Sequence, residues 1–407
     1  MMINICGCDH TIINYKNPVN PVKLDDIERY CLKNTSVYIL FSEENINPTP
    51  FSFKVIDYPH HGSVHIIDTA FIYSPDTNFV GLDTLSFVAI TSQGQVISNE
   101  ATISIMIKPE PLISVERIWE NSFHNAFTDL IRFEDKWFCL FREGETHLSL
   151  DGSIRLISSE DGKNWSSVKL FSSDEGDLRD PKLNLTPDGK LMISSAITTR
   201  QPWLKTSLIW FSVDGDNWNL PVNIGEENIW LWRIIWHNQI AYSFGYLYAY
   251  ERFNRLYQSS DGINYTSIVD SLDIKGNPSE GTILFIQNDT MLCLMRRDNA
   301  DSTALLGRSS SPYTNWYWTE LNFRIGGQDM IIVPDGRIIV GARLYNPERT
   351  AICILNPVLN TLDEIITLPS GGDNSYPGLY YYKGLLWVSY YSSHEGSTDI
   401  YLAKIVL

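Results

Sequence analysis

The chain has 407 residues, of which 43% are hydrophobic and 12% aromatic, enough for one or two domains with sizeable cores. A formal net charge of −17 excludes general binding to nucleic acid or to anionic membrane surfaces, so an anionic ligand would need a local basic site inside an acidic shell. Six cysteines in so long a chain do not make a disulfide framework, and Cys139, Cys293 and Cys353 sit in apolar strand-like runs as buried thiols.

Residues 1–15 form an N-terminal segment without a basic stretch followed by a long apolar run. Neither a secretory signal nor a transmembrane segment is therefore expected: the protein acts inside a cell, leaves it by a non-classical route, or travels on a phage or virus particle. Cys6-Gly7-Cys8-Asp9-His10 offers ligand residue types but lacks a second ligand pair at zinc spacing, and no metal or other cofactor is expected. Residues 16–109 carry short alternating runs separated by turn residues, among them Val37–Phe41, Phe51–Val55, His61–His65, Phe71–Pro75, Leu85–Ala89 and Ala101–Ile105. Seven or so short strands in this length predict a β-sandwich. The run Tyr73-Ser74-Pro75-Asp76-Thr77-Asn78-Phe79-Val80-Gly81-Leu82-Asp83 resembles the Y-x-P-x-x-x-F-x-G-x-D segment of bacterial Ig-like and cadherin-like modules. Such modules are spacers, anchors or adhesion units, so the resemblance implies attachment to another protein. No complete calcium loop is visible among its Asp-rich turns. Lys108-Pro109-Glu110-Pro111 reads as the linker.

Beyond it, one turn motif recurs. Ser159-Glu160-Asp161-Gly162-Lys163-Asn164-Trp165 returns at Ser212–Trp218, at Ser259–Tyr265 and, worn, at Ser310–Trp316, at intervals of about fifty residues with strand-like sequence between. In each copy Asp can accept from nearby backbone amides, Gly supplies positive φ, and the aromatic folds back onto the core. Six units of two hairpins follow from about residue 113. The sixth stops after its third strand, and Ser114–Trp119, a strand with no hairpin partner, can supply the fourth. The expected fold is all-β: a six-bladed β-propeller over 112–407, closed between its own ends and preceded by an Ig-like β-sandwich.

In such a fold the innermost strands start, and the second strands end, on the face opposite the S-x-D-G turns. Seven residues past a common turn position stand Arg142, Ala196, Gly245, Arg296, Arg343 and Tyr391. Three arginines at one position suggest an anion clamp, since the planar guanidinium meets a carboxylate bidentately; inter-blade ion pairs are the alternative. The same face gathers His124, Asp129, Asp177, Arg179, Asp180, Trp232, Arg233, Glu280, Asp329, Asp373 and Tyr376 from strand starts, and Glu143, His147, Asp298, Tyr345, His394 and Glu395 from strand ends.

The S-x-D-G-x-N-W repeats resemble the Asp boxes of the sialidase superfamily, one residue shorter than the usual form. Phe141-Arg142-Glu143-Gly144 with His147, Arg179-Asp180-Pro181-Lys182-Leu183, Leu368–Asp373 and Tyr390–Gly396 are similar to a bacterial exo-α-sialidase-like subgroup. The resemblance implies Tyr376 as nucleophile, Glu280 as its activating carboxylate, Arg296 and Arg343 as clamp residues, and an acid/base carboxylate in the first blade, where Glu143, Glu145 and Asp151 are available. One element departs from the family. Ala126-Phe127-Thr128-Asp129-Leu130 stands where its first clamp arginine belongs, and Tyr390-Tyr391 replaces the glutamate that buttresses it. Arg142 or Arg179 could substitute; otherwise the site takes another sugar.

These readings lead to a glycosidase acting on a terminal sugar, acidic if the clamp is intact, with Arg142, His147, Arg179, Asp180, Arg296, Arg343, Asp373, Tyr391 and His394 as substrate contacts. Two alternatives stand beside it: a non-catalytic glycan-binding or host-recognition propeller, and a polysaccharide lyase using Tyr391 and His394. In each case the partner is a glycan.

Overall fold

The computed structural model describes residues 22–40, 51–67, 70–199, 204–247, 252–299 and 301–407; Cys6-Gly7-Cys8-Asp9-His10 lies outside the described residues. Every named element is a β-strand. The chain divides into two compact units, Met1–Ile107 and Lys108–Leu407.

In the first unit a four-stranded sheet and a three-stranded antiparallel sheet share one core, built from Ile39, Phe53, Phe71, Tyr73, Phe87 and Ile103. Strand Ala101–Lys108 alternates buried and half-buried residues along its whole length, the period-2 pattern of a strand with one face on a core. The Tyr73…Asp83 spacing has a physical reason. Asp83 is buried and accepts from the Tyr73 hydroxyl (2.9 Å) and from the amides of His60 and His61 (both 2.9 Å), which ties a strand to a turn. Phe79, within the same segment, stacks on His61 at 4.1 Å.

The described residues of the second unit form six four-stranded antiparallel sheets in a propeller-like arrangement. They are numbered I to VI in chain order, spanning 124–171, 176–224, 229–272, 278–320, 325–367 and 374–405. Their first strands touch in the order I to VI, and the first strand of sheet VI (Asn374–Tyr382) packs on that of sheet I (His124–Phe133). Leu112–Trp119 pairs antiparallel with Asp399–Ile405 and completes sheet VI, as the unpartnered strand in the sequence predicts. That pairing covers a sheet edge that would otherwise stand open. The first strands are buried on both faces over most of their length, so they read as continuous apolar and small-polar runs without alternation.

The repeated turns hold the far ends of the sheets. In the first, Asp161 Oδ1 accepts from the amides of Lys163 and Asn164 (both 2.8 Å), and Ser159 Oγ accepts from the Gly162 amide at 2.8 Å. Ser212–Asn217 and Ser259–Asn264 repeat this network. These bonds hold Asp161, Asp214 and Asp261 well below the usual carboxylate range. The glycines have φ between 65° and 79°. The register pairs Trp137 with Ser159 and Glu143 with Ser153, so the turns lie at the end of each sheet away from the residues considered next.

Candidate active site

Each of the six first strands is interrupted by a two-residue β-bulge at the same depth. The bulged pairs are Phe127-Thr128, Asp180-Pro181, Trp232-Arg233, Ser279-Glu280, Gly327-Gln328 and Tyr376-Pro377. A bulge bends its strand and re-aims the side chain there. Four of the six leading residues have left-handed backbones: Phe127 (φ 62°), Asp180 (47°), Gly327 (58°) and Tyr376 (48°). For the three that carry side chains this strain costs about 1–3 kcal/mol each and is held by the surrounding sheets. Ser375, before Tyr376, is also at positive φ (94°).

The bulges bring Tyr376, Glu280 and Arg296 together. The Tyr376 hydroxyl donates to Glu280 Oε1 at 2.7 Å and accepts from Arg296 Nη1 at 2.9 Å, and Arg296 Nη1 also meets Glu280 Oε1 at 2.7 Å. Glu280 Oε2 accepts from the Gly327 amide at 2.7 Å. Burial pushes the Tyr376 phenol well above its ordinary value, and the Glu280 charge adds to this, so the resting hydroxyl keeps its proton. Burial would depress the Arg296 guanidinium, but Glu280, Tyr376 and Asp298 around it raise it instead. Phe127 (5.1 Å) and Trp232 (5.8 Å) stand edge-on to the Tyr376 ring and exclude water from it.

Below this group lies a buried charge cluster. Arg233 pairs with Asp129 at 3.2 Å and Asp329 at 3.5 Å, while Lys182 lies 5.0 Å from the Trp232 ring and 5.8 Å from that of Tyr376. Burial raises Asp329 to about 6 and lowers Lys182. Thr128, in the first bulge, donates to the Tyr376 carbonyl at 2.8 Å and so ties sheet I to sheet VI.

Above it, a cavity of about 560 Å³ opens over Tyr376, Glu280 and Arg296. Asp177, Arg179 and Asp180 from sheet II, together with His147, line it. So do Asp298, from a strand end, and Lys205, Trp230, Tyr246 and Arg252, from positions the strand-start and strand-end count did not reach. Trp230 and Tyr246 stack at 5.7 Å, and the Lys205 ammonium sits 4.5 Å from the Trp230 ring, lowered to about 8 by burial and by Arg179. Arg252 is paired with Asp298. A half-enclosed cavity with an aromatic wall and convergent polar groups has the form of a small-ligand site.

No protein-family model and no curated protein matches the sequence. Solved structures do. A Dyadobacter fermentans protein of unknown function is 18% identical over 73% of this chain and 98% of its own, with a TM-score of 0.66. The GH93 α-L-arabinofuranosidase of Fusarium graminearum is 12% identical over 72% and 98%, TM-score 0.59. Trypanosoma rangeli sialidase is 12% identical over 72% and 57%, TM-score 0.54. The chain shares the β-propeller fold of these solved structures.

On this propeller the three-arginine clamp is not assembled. Arg142, Ala196, Gly245, Arg343 and Tyr391 each pair with the residue just before a bulge, whereas in sheet IV that position belongs to Arg297 and Arg296 lies opposite the bulge itself, so the spacing count is one residue off there. The side chains there do different work. Arg142 is fully buried. It bonds Asp177 Oδ1 at 2.7 Å and the carbonyls of Thr146 (3.0 Å) and Ser149 (2.8 Å), and so holds the loop that carries His147 to the cavity. A β-carbon on Gly152 would lie 1.7 Å from Asp177 Oδ1, so only glycine lets that loop pass. Arg343 lies 5.7 Å from the Tyr376 ring and binds Asp373 at 3.2 Å, the Tyr391 hydroxyl at 2.9 Å and the Asn374 carbonyl. Only Arg296 of the three lines the cavity. The Arg179 guanidinium lies 5.0 Å from the ring of Phe127.

The first-blade carboxylates expected as acids stand away from the cavity. Glu143 pairs with Arg155 at 2.9 Å and accepts from Trp119 Nε1 at 2.7 Å, on the side of its strand facing Leu112–Trp119. Asp151 accepts from the Glu145 amide at 3.0 Å; although burial opposes it, hydrogen bonds hold its carboxyl below the usual range, the wrong direction for an acid. Neither these two nor Glu145 lines the cavity. The lyase pair separates as well. Tyr391 is fully buried on Asp373 and Arg343, whereas His394 is exposed and lies against Tyr401 at 4.9 Å.

Asp373 is a hub. Its Oδ2 bonds His147 Nδ1 (2.6 Å) and His124 Nε2 (2.8 Å), and its Oδ1 bonds Tyr391 and Arg343. His124, His147 and Asp373 present three ligand atoms within 4.8 Å of one another, the one group among the described residues that could hold a metal ion. The Arg343 guanidinium already supplies positive charge there, and the hydrogen bonds join the His147 loop to sheet VI.

Proposed function

We propose that the protein is a glycoside hydrolase that cleaves a terminal sugar through a covalent tyrosyl intermediate. Tyr376 is the nucleophile, Glu280 its general base, and Arg296 the group that stabilises the phenolate. The observation that carries this reading is the Tyr376–Glu280–Arg296 triangle, with all three distances between 2.7 and 2.9 Å, at the floor of a sugar-sized cavity. A phenol with an ordinary pKa near 10, raised further by burial, attacks only if its proton leaves as the new bond forms, and Glu280 is placed to take it. The solved glycosidases of the same fold, an α-L-arabinofuranosidase and a sialidase, support the reaction class.

We read Lys108–Leu407 as a six-bladed propeller and the preceding unit as an Ig-like module that attaches the enzyme to another protein. The sugar is not held by a sialidase carboxylate clamp, because Arg142 and Arg343 are engaged elsewhere. It lies against Trp230 and Tyr246, among the paired charges of Arg179, Arg296, Asp177 and Asp298.

Aryl glycosides of different sugars, α-L-arabinofuranosides and sialosides included, test the proposal on the purified protein. A 2-fluoro glycosyl fluoride of the accepted sugar should label Tyr376, as read by peptide mass spectrometry. Binding without sugar release across the panel would instead favour a glycan-recognition propeller, and an ultraviolet-absorbing unsaturated product would favour a lyase.

A further inference from the structure

We infer that Asp180 is the general acid/base of this site. The inference rests on the glycosidase reading above and supplies the proton donor that reading requires.

Its placement is the first ground. Asp180, Glu280 and Tyr376 all lie in the bulges, and they come from sheets II, IV and VI, which alternate around the order in which the six sheets touch. Asp180 therefore reaches the cavity from a different side than the Tyr376–Glu280 pair. All three line the same space.

The second ground is its bonding. Asp180 is 6% exposed, and its Oδ1 is buried without a hydrogen-bond partner. The other carboxylates of the cavity are engaged: Asp177 by Arg142 and Arg179, Asp298 by Arg252 and Arg296, and Glu280 by Arg296, Tyr376 and Gly327. A desolvated carboxyl oxygen with no partner is costly, and such atoms in a cavity mark places where a ligand group completes the bonding.

Backbone geometry is the third. Asp180 has φ 47° and precedes Pro181; Tyr376 has φ 48° and precedes Pro377. The same strained device thus presents both side chains, and Ser195 Oγ fixes the strand by donating to the Arg179 carbonyl at 2.7 Å.

In the first step the Asp180 carboxylic acid gives its proton to the glycosidic oxygen. The bond from that oxygen to the anomeric carbon breaks, and its electron pair stays on the departing alcohol. Tyr376 Oη bonds to the anomeric carbon as its proton passes to Glu280. In the second step the Asp180 carboxylate takes a proton from water. The water oxygen bonds to the anomeric carbon, the Tyr376 Oη–carbon bond breaks, and Glu280 returns its proton to the phenolate.

The test is Asp180→Asn, assayed on two glycosides of the accepted sugar, one with a dinitrophenyl and one with an alkyl leaving group. Expected is a fall in kcat/KM of about 10²–10⁴-fold on the alkyl glycoside, a much smaller fall on the dinitrophenyl glycoside, and formation of glycosyl azide when azide is added. Asp180→Ala gives a second azide-rescue measurement if the asparagine variant fails to fold. An unchanged ratio between the two substrates, with Tyr376→Phe inactive, overturns the role of Asp180 and leaves the glycosidase reading standing. A wild-type protein that hydrolyses neither glycoside overturns both.

Discussion

Gly327 stands so close to Tyr376 that a β-carbon on it would lie 2.4 Å from the phenol ring. The same glycine donates its amide to Glu280 and holds a φ of 58°, so one residue without a side chain positions both members of the reactive pair. Gly327→Ala should displace the ring by a substantial fraction of an ångström and lower kcat about 10²-fold. It should also cost about 1–2 kcal/mol for the left-handed backbone. Steady-state kinetics and urea unfolding of the same preparation check both.

Tyr376→Phe removes only the hydroxyl. Glu280 keeps its bonds to Arg296 and the Gly327 amide, so the fold should survive while sugar release stops and the fluoroglycoside no longer labels the protein. Glu280→Gln should retain binding and lose about 10²–10⁴-fold in kcat, the range expected for a general base.

Arg142→Met tests whether the first-blade arginine is structural. It leaves Asp177 buried with only Arg179 as partner and frees the carbonyls of Thr146 and Ser149. The expected loss is about 3–5 kcal/mol of unfolding free energy. A substrate clamp would instead show a raised KM with unchanged stability.

Acid should weaken the joint between sheets VI and I. Although burial opposes it, His124, His147 and Tyr391 hold the Asp373 carboxyl well below the usual carboxylate range. A group depressed in the folded state contributes stability that is present above its unfolded pKa, near 3.9, and is lost as pH falls below that. Unfolding free energy should therefore drop below about pH 4, and Asp373→Asn should flatten that part of the profile while lowering stability at neutral pH.

Much of the architecture is legible in the chain, and for a physical reason. A turn built on Ser, Asp and Gly needs those residues in that order, so Ser159, Ser212 and Ser259 set the phase of the sheets, and the lone strand Leu112–Trp119 follows from an odd count. Tyr376, Glu280 and Arg296 are found because strand starts and ends converge on one face. The misassignments share a cause. Period and spacing give a residue's position along its strand but not the partner that reaches it from the next sheet. Arg142 pairs with the residue before its bulge and is held by Asp177, whereas Arg296 lies opposite a bulge, one residue off in register, and reaches Tyr376 in the cavity. Lys205 and Trp230 escape notice because they sit on a third strand and ahead of a bulge, and no repeat marks either.

The pairing of Leu112–Trp119 with Asp399–Ile405 joins residues almost three hundred positions apart, such as Trp119 with Ile400. Contacts of such separation form late, because chain entropy must be overcome before they contribute. During synthesis the early strand has to wait, unpartnered, until Asp399–Ile405 has left the ribosome. A chain cut short by even one strand keeps an exposed edge able to recruit another chain. Sheet VI thus acts as a check on translation: Leu112–Trp119 is buried only in a polypeptide that has reached Asp399–Ile405.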